Sequence, residues 1–450
     1  MCELRNNINE SIPEAQEALE KWEQAQSLYE RVMATWSLVR LIGIYLLVEK
    51  IQQDDLLLSP GVCPGCKGRL ESKGKKPRSV RTFLGNIQWK RKVYRCPQKC
   101  SVGQIAPSDQ HLQIHPGQKS CRSIKEFACM LAISLPYELS STLLGLLTGV
   151  QVCPQTIWNW VQEAGKLAML RLEAELDNIN QEEAWKRPLC EDLKTQLLTI
   201  GGDGVMVPMR PEAGSPKGKT VWREVKVGLV AWLKKQTSKT GKHYLRPIQR
   251  EVVAVLGDIE QFKPRLWLAA LNQGILKAKR AVWLSDGGRG FWGVYSEYIA
   301  SYATGILDFY HVAQNLCKGA KAWLDGRTNK AKDWFAKNRR LLRQGQSQQV
   351  LDEIQRVIAL DELPEPTREI MITLYNYLDK HIEHIDYKRF KKLGFPLGSG
   401  IIESTCKWLI QQRFKGVGMR WSEEGFNHLL HLRLAWVNDT YFSLFDEEEK

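Results

Sequence analysis

Residues 196–311 carry strand patterns in one particular order, and that order limits the fold more than any other feature of the chain. QLLTIGG, VWREVKVGLVAWL and HYLRPIQREVVAVLG follow one another directly. A helix near 258–275 comes next, then the strand AVWLSD, a helix near 290–301 and the strand GILDFY. Long strands in succession make an antiparallel meander, whereas a strand–helix–strand unit adds a parallel strand. The expectation is a single mixed sheet, completed by a last helix over 400–413.

Three acids punctuate this pattern: Asp203 in LLTIGGDG, Asp286 in AVWLSDGG and Glu403 in PLGSGIIES. Each is expected where an apolar strand or a glycine turn ends. Gly400 can serve as N-cap, which sets Glu403 at the third position of its helix, beside the positive end of the macrodipole. There it shares a face with Lys407 and Gln411, while Ile402, Cys406, Leu409 and Ile410 turn inward. Converging carboxylates make an all-oxygen cage suited to Mg²⁺ or Mn²⁺. Asp308 and His311 close the last strand: Asp308 is either a fourth acid or a cap for the next helix, and His311 either meets substrate or packs. Meander, helix, strand, helix, strand and late helix is the order of an RNase H-like fold, with catalytic groups at the tips of its first and fourth strands.

Upstream, Cys63-Pro-Gly-Cys66 and Cys96-Pro-Gln-Lys-Cys100 form two close thiol pairs, separated by 29 residues. Four thiolates in tetrahedral array suit structural Zn²⁺. The gap exceeds the usual roughly 15–20 residues, but the intervening SVRTFLG and IQWKRKVYR read as a longer hairpin. A rival set takes Cys96 and Cys100 with His111 and His115. It is the weaker one, because Gly103 and Pro107 interrupt the span and His115 precedes a proline. Lys73, Lys75, Lys76, Arg78, Arg81, Lys90, Arg91 and Lys92 make this ribbon a candidate DNA clamp.

ELSSTLLGLLTGVQVCPQTIWNWVQEAG then reads as helix-turn-helix, with a break at Gly149 and a second helix opening at Pro154. Gln155, Thr156, Asn159 and Gln162 are its candidates for reaching base edges in the major groove. Charge agrees, since 64 Lys+Arg against 50 Asp+Glu leaves a net +14, an excess that favours a polyanionic partner.

The fold class is therefore multidomain α+β and α/β. The expected parts are an N-terminal helical region (1–58), a zinc ribbon (59–116), a helix-turn-helix (117–176), the first part of an RNase H-like core (190–311), a helical insertion (312–395) broken once at 364–366, and the final core helix with a basic C-terminal segment (396–440). Residues 176–195 read as an acidic linker.

Two motifs fall short. Residues 214–220 lack one spacer residue of a phosphate-binding loop, and Gly288–Gly293 fits a dinucleotide fingerprint only where too few parallel strands follow. No nucleotide cofactor is expected. His381 and His384 read as part of a solvated helix face. The apolar run 38–48 is too short to cross a bilayer, and residues 127–153 are interrupted by Pro136 and Glu138. No membrane association is expected. The location expected is cytoplasmic and nucleoid-associated, with the eleven cysteines as reduced thiols or metal ligands.

Taken together, GGDGVMVPM, VWREVKVGLV, VWLSDGGRG, ILDFYH and LGSGIIESTCKWLIQQRFKGVGMRWSEEG resemble the DDE transposases of bacterial insertion sequences. The Kra-type group is the nearest, and Mutator-like transposases are similar at a greater distance. The resemblance implies that Asp203, Asp286 and Glu403 are the catalytic acids, with Asp308 and His311 as the family's aspartate-x-x-histidine element. It further implies Mg²⁺-dependent strand cleavage and transfer on element ends and target duplex DNA, by a homo-oligomer. Arg413, Lys415 and Arg420 are then expected to hold DNA backbone near the site. The alternatives are an RNase H-like nuclease without transfer activity and a domesticated DNA-binding regulator.

Overall fold

The computed structural model describes residues 14–181, 191–211, 220–241 and 243–449. The near-miss phosphate loop at 214–220 and the middle of the acidic linker fall almost wholly outside them. The chain divides into two compact units, the residues up to Ala164 together with those from Tyr441 on, and Gly165–Thr440.

In the first unit, the expected N-terminal helix is two: α1 (Glu14–Gln24) and α2 (Leu28–Leu57). Ser27 separates them. Its hydroxyl accepts from Glu30 N, and the Glu30 carboxylate accepts from Ser27 N at 3.0 Å, so two orphan donors of the first turn are satisfied reciprocally. The run at 38–48 lies inside α2, a 30-residue helix long and apolar enough by length and composition to cross a membrane. One side of it packs on protein: Ile44, Leu47, Val48 and Ile51 meet Val80, Ile87 and Trp89. Leu28, Val32, Val39 and Leu46 on α2 are exposed.

Strands β1 (Glu71–Arg81) and β2 (Asn86–Arg95) form the expected hairpin, and β3 (Gln104–Ile105) extends it. Four helices follow: α3 (Pro107–His111), α4 (Arg122–Ala132), α5 (Tyr137–Thr148) and α6 (Pro154–Asp177). Gly149, left-handed at φ 70°, ends α5 where the sequence broke, as a residue without Cβ permits. The chain returns to this unit at its end. The Tyr441 hydroxyl donates to the Glu126 carbonyl, and Arg122 pairs with Asp446 at 2.7 Å.

The second unit holds the mixed sheet: β4 (Leu197–Met209), β5 (Val221–Thr237), β6 (His243–Leu256), β7 (Ala281–Ser285) and β8 (Thr304–Leu307). Their order across the sheet is β6-β5-β4-β7-β8. The first three are antiparallel neighbours; β7 and β8 join parallel to β4. Gly202 and Gly228 face each other across β4 and β5. A Cβ at either would strike the rings of Phe291 or Phe262, so the paired glycines let those aromatics, edge-to-face at 5.5 Å, press onto the sheet.

Phe262 lies on α7 (Ile259–Asn272) and Phe291 on α8 (Arg289–Val294). The charged stretch after β8 is broken more often than its sequence suggested, into α9 (Phe309–Trp323), α10 (Asn329–Arg343), α11 (Ser347–Ile358), α12 (Glu365–Lys380) and α13 (Tyr387–Lys392). The late helix is α14 (Gly400–Cys406), which passes through a π turn at Lys407–Gln411 into α15 (Gln412–Phe414). A further helix, α16 (Glu423–Val437), was read from sequence only as a basic segment. It is buried on nearly every side, so it shows no amphipathic stripe.

Candidate functional site

Pairing between β4 and β7 stops at Gly201↔Leu284. Asp203 stands two residues farther along β4, and Asp286 directly follows β7. Both carboxylates therefore lie at the same edge of the parallel pair. Asp203 is not at a strand end as expected, because β4 runs on to Met209 through its antiparallel bonds with β5.

Glu403 comes from α14. A Cβ at Gly201 would run into Ile402 Cδ1 and the Leu284 carbonyl oxygen, so bare backbone there admits α14 to the sheet. The N-cap of α14 is Ser399, not Gly400, and Glu403 sits one position deeper than expected. Its N–H donates to the Ser399 carbonyl at 3.0 Å. Ile402, Cys406, Leu409 and Ile410 are buried as read from the sequence.

The three acids influence one another. Asp203 accepts from Gly204 N at 2.7 Å, and its Oδ2 lies 3.9 Å from the Cys406 thiol. Burial above all, then the charges of Asp286 and Glu403, push the Asp203 carboxyl up. Burial and Asp203 push the Cys406 thiol up in turn. Asp286 Oδ1 accepts from Gly288 N at 3.0 Å. A half-buried carboxylate held against two like charges is an arrangement that a bound divalent cation would relieve, so the oxygen donors fit Mg²⁺ or Mn²⁺.

The tightest acidic group among the described residues is a different one. One ligand atom each from Asp308, His311 and Glu403 lies within 4.8 Å of the others, and Asp203 and Asp286 are outside it. Asp308 is fully buried and caps α9 through Tyr310 N at 2.6 Å and His311 N at 2.8 Å. Its other oxygen accepts from the Ser399 N–H and hydroxyl. Burial alone would raise the Asp308 carboxyl, but the His311 ring and the Ser399 donors bring it down to about 2. The His311 ring, Nδ1 3.4 Å from Asp308 Oδ1, is shifted up chiefly by that partner and further by Asp286 and Glu403.

Residues that the sequence did not nominate complete the surroundings. Trp292 Nε1 donates to the Asp286 carbonyl at 2.7 Å. A Cβ at Gly287 would collide with the Tyr377 ring, so α12 closes over the turn after Asp286. His381 and His384 are not a solvated face. They pack on the Trp292 ring at centroid distances of 4.7 and 4.4 Å, and His384 Nδ1 lies 3.1 Å from the Gly305 carbonyl oxygen. Their i, i+3 spacing was visible in sequence; the indole they serve was not.

The thiols of Cys63, Cys66, Cys96 and Cys100 gather within 4.8 Å of one another, without His111 or His115. Lys67, just after the first pair, and Lys99, just before Cys100 within the second, turn the backbone at φ of 60° and 52°. The Cys66 and Gly65 N–H groups pull the Cys63 thiol down to about 7, while the neighbouring thiols drive Cys100 up to about 12. Four thiols that cannot all ionise unaided fit a tetrahedral Zn²⁺.

The proposed DNA contacts are divided. Gln155 and Asn159 are exposed on α6 and bonded to each other at 3.1 Å; Thr156 and Gln162 are half-buried. Lys90 is exposed on β2. Arg91 instead pairs with Asp109 at 2.8 Å, and Lys92 Nζ donates to the Leu56 carbonyl at 3.2 Å. Lys415 and Arg420 are exposed. Arg413 is 2% exposed and stacks on Trp421 at 5.2 Å, so it braces the core rather than facing a phosphate.

The chain belongs to the uncharacterised protein family UPF0236, whose model matches residues 20–450. No curated protein matches it. Among solved structures, it is similar to the Drosophila P element transposase strand transfer complex at 12% identity, over 76% of this chain and 84% of that chain, with a TM-score of 0.27.

Proposed function

We propose that this protein is a DNA transposase of the DDE type, with an RNase H-like core, resembling the Kra-type insertion-sequence group. The observation that carries the reading is that Asp203 and Asp286 stand where the pairing of β4 with β7 ends, while α14, which bears Glu403, lies against Asp203 through Cys406 at 3.9 Å. Burial and the charges of Asp286 and Glu403 push the Asp203 carboxyl up. This occurs at the edge of a sheet ordered β6-β5-β4-β7-β8, with antiparallel strands on one side of β4 and parallel strands on the other.

Asp203, Asp286 and Glu403 would hold Mg²⁺ or Mn²⁺, which when bound lowers the pKa of water and neutralises charge on the scissile phosphodiester. The chain's own groups supply placement. Asp203 and Asp286 would act from the edge of the parallel pair, and Glu403 would join them from the first turn of α14, where the helix dipole favours an anion. His311, pushed up toward the protonated form, would offer a proton or a positive contact to a phosphate oxygen. Lys415 and Arg420 would guide the backbone. Zn²⁺ in the Cys63–Cys66–Cys96–Cys100 site would hold the ribbon, and the ribbon with α5 and α6 would recognise element ends. Chain multimers acting on paired ends and target DNA complete the proposal.

The test is a duplex carrying the sequences that flank the gene. Asp203→Asn should abolish strand cleavage while gel-shift binding persists; cleavage retained by Asp203→Asn removes that residue from the mechanism. Recovery of joined strand-transfer products separates a transposase from a nuclease that only cuts.

A further inference from the structure

We infer that Asp308 is not a metal ligand but the positioning residue for Glu403: through Ser399 it fixes the start of α14 and leaves the Glu403 carboxylate free for the cation. The inference rests on the catalytic reading above.

Proximity alone would nominate Asp308 as a ligand, since it shares a 4.8 Å group with His311 and Glu403. Its hydrogen bonds decide otherwise. A carboxylate offers about four acceptor positions on its two oxygens, and all are taken. Oδ1 accepts from Tyr310 N at 2.6 Å and His311 N at 2.8 Å; Oδ2 accepts from Ser399 N at 2.5 Å and Ser399 Oγ at 2.6 Å. The residue has 0% exposure. A cation could reach it only by orphaning donors in a dry site, which costs the full desolvation of each.

Ser399 is held from both sides. Its N–H and hydroxyl are anchored on Asp308, while its carbonyl accepts from Ile402 N at 2.7 Å and Glu403 N at 3.0 Å. The Phe309 N–H donates to the Leu397 carbonyl at 2.8 Å, so a second bond ties the start of α9 to the approach of α14. The serine hydroxyl has one proton. Its oxygen lies 2.6 Å from Asp308 Oδ2 and 3.3 Å from Glu403 Oε1, and the shorter contact takes it. Glu403 therefore keeps its lone pairs, because Asp308 draws away the Ser399 hydroxyl that competes for them.

Two measurements on the full-length chain test this: Mn²⁺ titration followed by electron paramagnetic resonance, and thermal unfolding without added Mg²⁺ or Mn²⁺. A ligand acid in a like-charged cage strains the metal-free fold, so Glu403→Ala should leave Tm unchanged or higher. A clamp stabilises the metal-free fold, so Asp308→Ala should lower Tm by roughly 4 °C or more. Mn²⁺ affinity should fall about tenfold in both Asp308→Ala and Ser399→Ala, and the double variant should lose no more than Asp308→Ala alone, as expected for residues acting in series. Should Asp308→Ala fail to fold, Ser399→Ala, which removes only the hydroxyl, carries the affinity test.

Unchanged Tm in Asp308→Ala with Mn²⁺ loss equal to that of Glu403→Ala would make Asp308 a ligand and overturn the inference. Unchanged Mn²⁺ affinity in Ser399→Ala would also overturn it. A wild type that takes up no Mn²⁺, with Asp203→Ala as the control, would instead sink the catalytic reading and the cation half of this inference; the Tm comparison would still judge the clamp.

Discussion

The Trp292 indole Nε1 donates to the main-chain carbonyl of Asp286 at 2.7 Å, and the same ring packs on His381 and His384. The turn that presents a candidate catalytic carboxylate is thus pinned by a side chain six positions later. Trp292→Phe keeps most of the ring packing and deletes the donor. Stability should fall by about 1 kcal/mol, and strand cleavage should drop roughly tenfold with DNA affinity intact. Denaturant unfolding and a cleavage time course check the two halves.

The histidine cluster should make the fold acid-sensitive. Burial, with His384 beside it, brings His381 down to about 4, and His384 is lowered as well. In the unfolded chain both titrate near 6.5. The unfolded state therefore binds more protons below that value, so stability is full above about pH 6.5 and declines as pH falls toward 4. Tm should drop by several degrees between pH 7.5 and pH 5, and His381→Phe should show a shallower decline. A Tm that rises on acidification would contradict the burial of these rings.

Asp203→Asn should make the metal-free protein more stable, by about 1 kcal/mol, because it removes a charge that burial and two like-charged neighbours disfavour. Gly201→Ala should do the reverse, costing about 2–4 kcal/mol, since its Cβ has to displace Ile402 and the Leu284 carbonyl. It should also suppress cleavage by moving α14 off the strand that bears Asp203. Unfolding curves for the two variants should shift in opposite directions.

The purified chain should carry about one Zn²⁺ per molecule in the Cys63–Cys66–Cys96–Cys100 cluster. Cys96→Ser or chelation should release it and open the β1–β2 hairpin to protease, because ligand binding energy in such sites is folding energy. Elemental analysis and limited proteolysis read both effects.

What the sequence disclosed and what it hid divide along physical lines. Strand order, the thiol pairs and the inward face of α14 are periodic or local signals, and the structure carries them. The N-cap position of α14 falls on Ser399 rather than Gly400, where N–H and hydroxyl are held by Asp308, a partner 91 positions away. Arg413 looked like a surface cation and is a buried brace because Trp421 folds back onto it. Arg91 is spoken for by Asp109. The extent of β4 beyond Asp203 depends on β5, and the burial of His381 depends on Trp292. Each of these needed a long-range contact that no window of sequence contains.

The segment that opens at Tyr441 has a kinetic meaning. Tyr441 and Asp446 dock on α4, so the unit that contains α4 cannot be completed until the whole intervening sheet has been synthesised. Any premature stop upstream of Tyr441, even one that spares every residue of the sheet, would leave an N-terminal unit lacking one of its walls.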